Sequence, residues 1–239
     1  KYNAKPIGSI VGAWQTYPAE IEQLERIEGK NHYKAYSGAY TSPYGVFWIK
    51  IEQVLSDGNL LINNIPECGK RKIPKVSDNI EPDLVYPVLR GADVERWVFR
   101  QEIFALIVQD PKKRIGYDEA LMKQKWPKTY SYLTKFKNFL TSQAAYKKYH
   151  QDQGNPFYSQ FNISEKTFEK YKVIWNQMGN ELYSSVISQI KTPFGYKLLI
   201  PLHTVAFFST DNESEAHYLC AIINSNPVRD FIKSFSSAG

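Results

Sequence analysis

Residues 110–150 constrain the fold most, because ten lysines and arginines stand there against three acidic residues, interleaved with eight aromatic rings. Ten minus three is a local +7 in a chain whose net charge is +6, so the remainder is close to neutral. Trp126, Tyr130, Leu133, Phe136, Leu140 and Ala144 recur at three- and four-residue steps, the spacing of one buried helical face. Pro127 is placed to open that helix, and a shorter one is expected over 117–125. Most of the rings then belong to a core. Lys128, Lys135, Lys147 and Lys148 fall on or near the wet side, where phosphate can reach them. A solvated helix pair with no anionic partner would show the same pattern.

The sequence on either side reads as β. After an irregular lead-in over 1–16, a short helix is expected over 18–29. Tyr33 to Thr41 is strand-like, Val46 to Ile51 reads as a strand, and Asp57-Gly58 marks a hairpin whose return is Leu60-Leu61-Ile62. Residues 66–83 read as loop, with prolines at 66, 74 and 82. The apolar groups 84–89 and 103–108 are short enough for buried strands. Further strands are expected at 171–175, 186–188, 197–200 and 205–208. Ser164 begins a short helix, and longer ones are expected over 214–224 and from Asn226-Pro227 onward. The fold class that follows is α+β, with small mixed or antiparallel sheets and packed helices.

At 239 residues the chain can bury a real core as one large or two small domains. Cys68 and Cys220 lie far apart, with neither CxxC nor Cys/His spacing, so a disulfide framework or zinc site is not expected and a reducing cytoplasm fits. No apolar run approaches the roughly 18–20 residues of a membrane span. A start at Lys1-Tyr2-Asn3 and an abrupt end at Ser236-Ser237-Ala238-Gly239 read as a piece of a longer chain.

Enzyme signatures are absent: there is no GxGxxG, GxxxxGK[ST], GxSxG or HExxH. The four histidines, 32, 150, 203 and 217, show no ligand spacing, so neither catalytic nor metal residues are assigned. A Mg²⁺ nuclease needs clustered carboxylates, and Glu28-Gly29-Lys30 has no upstream Asp to match. Asn155-Pro156-Phe157-Tyr158 is a near miss to the Asn-Pro-Pro-Tyr motif that holds a flipped adenine. The polar residues before it make it a turn, with Phe157 and Tyr158 free to pack.

Four stretches resemble one family. Tyr36-Ser37-Gly38-Ala39-Tyr40-Thr41 with Gly45-Val46-Phe47-Trp48-Ile49 is the first. Leu84 to Trp97, with Val85-Tyr86-Pro87-Val88-Leu89-Arg90-Gly91-Ala92-Asp93-Val94-Glu95-Arg96-Trp97, is the second. Trp126-Pro127-Lys128-Thr129-Tyr130-Ser131-Tyr132-Leu133 and Tyr218-Leu219-Cys220-Ala221-Ile222-Ile223-Asn224-Ser225 complete the set. Together and in this order they are similar to the C-terminal target-recognition region of adenine-N6 DNA methyltransferases, including the fused type IIG restriction–modification enzymes.

The resemblance covers nearly the whole chain. It implies a target-recognition-like module in which 1–83 is a β-rich part and 84–239 an α+β DNA-recognition part, continuous with each other. It also implies a partner methyltransferase domain in the same parent chain and double-stranded DNA as ligand. S-adenosylmethionine, and Mg²⁺ where a nuclease is fused, would belong to the parent and not to this segment. Arg90 and Arg96 are then either structural or phosphate-contacting. Lys112, Lys113, Arg114, Lys125, Lys128, Lys147 and Lys148 are the phosphate candidates. A standalone nucleic-acid-binding or protein-interaction module remains the other reading.

Overall fold

A computed structural model describes residues 2–6, 10–11, 14–18, 29–69, 71–179 and 181–233. The strands and helices in chain order are β1 Tyr2–Pro6, β2 Trp14–Pro18, β3 Tyr36–Ser37, α1 Tyr44–Phe47, β4 Trp48–Val54, β5 Leu60–Asn64, β6 Ser77–Ile80, β7 Val85–Leu89, β8 Ile103–Leu106, β9 Gln109–Asp110 and β10 Ile115–Gly116. They continue with α2 Glu119–Lys125, α3 Pro127–Thr134, α4 Lys137–Thr141, α5 Ala144–Tyr146, β11 Tyr171–Asn176, β12 Ser184–Ile187, β13 Gln189–Thr192, β14 Gly195–Leu198, β15 Ile200–Pro201, β16 Val205–Thr210, α6 Glu213–Ile223 and α7 Asn226–Lys233. The class is α+β, as expected. Among the described residues no helix is long and apolar enough to cross a membrane.

Two sheets carry the molecule. The larger has the order β15-β7-β8-β4-β5-β6, antiparallel except where β15 runs parallel to β7. It contains strands from both sides of residue 83. Its β4–β5 hairpin turns at Asp57-Gly58, where Gly58 takes φ 81° and Asp57 Oδ1 accepts the Asn59 N–H at 3.0 Å. The smaller sheet has the order β12-β11-β16-β3, all antiparallel. Its strands alternate between two cores, as a two-sided sheet must. Ile174, Ile187 and Phe207 pack with Leu89, Val94 and Leu199, while Tyr171, Val173 and Phe208 pack under Ala216 and Cys220 of α6. Asn224 seals that helix to the sheet, accepting the Ser184 N–H at 3.1 Å and donating to the Ser184 carbonyl at 2.7 Å.

The basic stretch covers the larger sheet. Tyr132, Leu133, Phe136 and Leu140 are all buried in its core, and the Tyr132 hydroxyl donates to the Val46 carbonyl at 2.6 Å. Glu81, just after β6, caps α3 from outside: its carboxylate accepts the Lys128 and Thr129 N–H groups at 2.9 and 2.8 Å.

Several sequence expectations are corrected. The long second helix is three pieces, α3, α4 and α5, because Tyr132, Leu133 and Phe136 must all turn inward and the chain tightens at Lys135. Residues 44–47 make a helical turn before the strand begins at Trp48. The loop expected over 66–83 contains β6, a polar edge strand recruited by the β5 backbone. The lead-in holds an antiparallel pair, Tyr2 opposite Pro18 through Pro6 opposite Trp14, whose polar strands carry no alternation to read. The helix expected over 18–29 lies, apart from its two end residues, outside the described residues.

Candidate nucleic-acid interface

Part of the positive charge of 110–150 is met by carboxylates, two from outside the stretch and one within it. Lys128 pairs with Asp57 at 3.1 Å, Lys135 with Asp78 at 2.7 Å, and Lys123 with Glu119 at 3.7 Å. Lys137 lies over the Phe157 ring. Among the described residues, Lys113, Arg114, Lys125 and Lys147 have no carboxylate within 4.0 Å, and Lys148 has only the Tyr149 ring beneath it. Lys112 stands 4.0 Å from Glu165 with both side chains largely in water, a pair of little energetic weight.

Arg90 and Arg96 are engaged by the fold. The Arg90 guanidinium grips Asp93 through Nε at 2.9 Å and Nη2 at 2.6 Å, and reaches Glu102 at 3.0 Å. Asp93, almost fully buried, also accepts the Arg90 N–H at 2.7 Å and so closes the turn over Gly91–Asp93. That carboxylate holds the guanidinium pKa above its ordinary value. Arg96 donates to the carbonyl of Asn224 at the end of α6, at 2.8 Å, where a cation meets the negative end of the helix. Its neighbour Trp97, at φ 74°, donates its N–H to Ser184 at 3.0 Å. The residues that carry the resemblance thus meet one another and build the frame.

We expect Arg90→Ala to lower stability by about 2 kcal/mol, since it strands a buried carboxylate. The salt dependence of any DNA binding should not move. Unchanged melting with weakened binding would instead assign Arg90 to phosphate.

Three cations of the stretch stand on one turn beside a hollow. The turn after β9 is shaped by Asp110, whose Oδ1 accepts the Lys112 and Lys113 N–H groups at 2.9 and 3.0 Å. Arg114 N–H then returns to the Asp110 carbonyl at 2.8 Å, which puts Arg114 at φ 59°. Beside it lies a cavity of about 230 Å³ lined by Arg114, Asn162, Tyr36, Phe161, Gln109 and Gln160, among others, and by no acidic residue.

Two buried amides make its floor rigid. Gln109 and Gln160 exchange side-chain and backbone bonds at 2.8 and 2.9 Å, and Gln160 also ties to Val108 and Leu106. Phe161 forms one wall, paired with Tyr40 through reciprocal backbone bonds and in ring contact with Tyr149 and His150. Burial holds the His150 imidazole below its ordinary pKa, so this wall contributes rings and no charge near neutral pH.

Lys112, Lys113 and Arg114 therefore share the turn beside this hollow, while Lys148 packs on Tyr149, a ring in contact with the Phe161 wall. Lys125 ends α2 and Lys128 sits at the β4–β5 hairpin, away from the lining of this hollow. Asn155-Pro156-Phe157-Tyr158 is a turn, with both rings buried. Gln109, Gln160 and Asn162 were not singled out from sequence, and Tyr36 only as part of the first resembling stretch. A pair of glutamines 51 residues apart leaves no local signal. Among the described residues no three His, Cys, Asp or Glu side chains are grouped as a metal site. No protein-family model matches the chain, and no curated protein matches it.

Proposed function

We propose that this chain is a non-catalytic module that reads double-stranded DNA. In this reading it is the target-recognition domain of an adenine-N6 DNA methyltransferase, in a parent that works in a bacterial cytoplasm with or without a fused endonuclease. A methyltransferase domain elsewhere in that parent would bind S-adenosylmethionine, and a nuclease domain would bind Mg²⁺. One observation carries the reading: Lys112, Lys113 and Arg114 stand on one turn with no close carboxylate partner, Arg114 lining a hollow that no acidic residue lines, while Arg90, Arg96 and Lys128 are spent on the fold. Clustered, unpaired cations neutralise phosphates and release counterions, which yields affinity and orientation on a duplex. The order of the four resembling stretches supplies the family.

The test is binding to a random-sequence duplex across a salt series. About four or five phosphate contacts predict a log–log slope of about −4. Substituting Lys112, Lys113 and Arg114 together with Ala should flatten the slope by about 2 to 3, whereas Lys128→Ala should leave it unchanged, since that ammonium already faces Asp57. Absence of binding at low salt, or equal effects of the two sets, would sink the proposal.

A further inference from the structure

Resting on that reading, we propose that Arg114 and Asn162 are the base-reading pair of the module, Arg114 taking a guanine and Asn162 a nearby adenine in the major groove. The two line the same cavity, although 48 positions separate them in the sequence. They are two of the three described non-glycine residues with left-handed backbone, at φ 59° and 57°. Such backbone is costly for an arginine and cheaper for an asparagine. At Arg114 it is held by the Asp110 turn, whose N–H and carbonyl bonds fix every residue from Lys112 to Arg114. Backbone strain of this kind is kept where side-chain direction matters.

Availability separates these two side chains from their neighbours. Among the described arginines, the side chains of Arg71, Arg90, Arg96, Arg100 and Arg229 each hydrogen-bond or pair within the chain, and the Arg114 side chain does not. The Asn162 amide has no intramolecular bond among the described residues either, a state it shares with Asn79, Asn138 and Asn226, but of these four only Asn162 lines the hollow beside Arg114.

A free guanidinium fork matches guanine O6 and N7, and a free carboxamide matches adenine N6 and N7. No carboxylate lines the hollow to recapture the guanidinium, and the locked Gln109–Gln160 floor keeps both side chains on a fixed base. Lys112 and Lys113 on the same turn can hold the backbone while Arg114 reads, which is the usual division between positioning and specifying contacts.

The experiment selects bound sequences from a random duplex library with this 239-residue chain and with Arg114→Gly and Asn162→Gly. Glycine suits both backbone angles, so these variants should fold; melting curves check it, and Arg114→Lys, which keeps the charge and loses the fork, is the fallback. The starting chain should enrich a motif containing a guanine and an adenine within a few base pairs. Arg114→Gly should lose selection at the guanine alone and bind the motif about ten- to a hundredfold more weakly; Asn162→Gly should do the same at the adenine. Variants that enrich the unaltered motif would overturn the assignment of these two residues and leave the DNA-reading function standing. A starting chain that enriches nothing and binds without salt dependence would overturn both.

Discussion

Gly38→Ala is expected to lower stability by about 3 kcal/mol or more, measured by urea or thermal unfolding. A Cβ on Gly38 would lie 2.5 Å from the Pro201 carbonyl oxygen and closer still to that of Leu202. Those carbonyls cannot yield. Pro201 accepts the Ala39 N–H at 2.8 Å, Leu202 donates to Leu89 at 2.8 Å, and His203 donates to Ala39 at 3.0 Å. This segment runs from β15 in the larger sheet to β16 in the smaller, so moving it separates the two.

Gly91 presses on the same segment from the other side, its N–H bonded to Thr204 Oγ1 at 2.8 Å and its missing Cβ only 2.7 Å from the Thr204 carbonyl. Gly58→Ala is the control. Its φ of 81° carries strain but nothing stands within 4 Å, so about 1 kcal/mol is expected. A Gly38→Ala protein that melts with the original, or with Gly58→Ala, would disprove the clamp.

That clamp explains which parts of the fold are legible from sequence. Gly38 and Gly91 fall inside the stretches that carry the family resemblance, and their structural use is close approach of backbone to backbone. Local signals served well where local forces decide: Asp57-Gly58 for the hairpin, the apolar run at Ile103–Leu106 for a buried strand, and the spacing of Ala216, Leu219, Cys220 and Ile223 for α6. They failed where a distant partner decides. Ser77–Ile80 has poor strand formers and is a strand only because β5 offers it an edge.

Charge was misleading for the same reason. The acids that neutralise Lys128 and Lys135 stand 71 and 57 positions away, so a one-dimensional tally counts both lysines as available. Arg90 shows the converse: its guanidinium is consumed by Asp93 three residues on, a pairing that spacing alone leaves open. The hollow that gathers Arg114, Asn162 and the two glutamines is assembled from β9, the turn after it and the chain before Ile163, and no local pattern reports that meeting.

A second large effect is expected at Lys172, the second residue of β11. Its side chain is fully buried, and its ammonium donates to the Glu169 carbonyl at 2.6 Å and more weakly to that of Leu199 at 3.4 Å. The Glu169 carboxylate is occupied by Lys166 at 2.6 Å. Removal from water lowers the Lys172 pKa from 10.5 to about 7. In the unfolded chain the amine keeps its proton to its ordinary value, so over that interval the unfolded state binds more protons and stability rises with pH. The penalty is full below about pH 7 and vanishes above the unfolded pKa.

We expect the fold to gain about 2 kcal/mol between about pH 7 and pH 9, and Lys172→Met to lose most of that gain. The variant should be the more stable protein near pH 7, because a hydrophobic side chain of similar length carries no ion to desolvate, although the Glu169 carbonyl loses its donor. Burial lowers Lys197 as well, but Lys197 is present in both proteins, so its contribution cancels in the difference. Urea unfolding of both proteins at a series of pH values gives the answer. Parallel profiles would mean that two carbonyls are enough to keep the ammonium charged in the core. Lys172 would then be a permanent clasp between β11 and the chain at Leu199, not the source of the pH dependence.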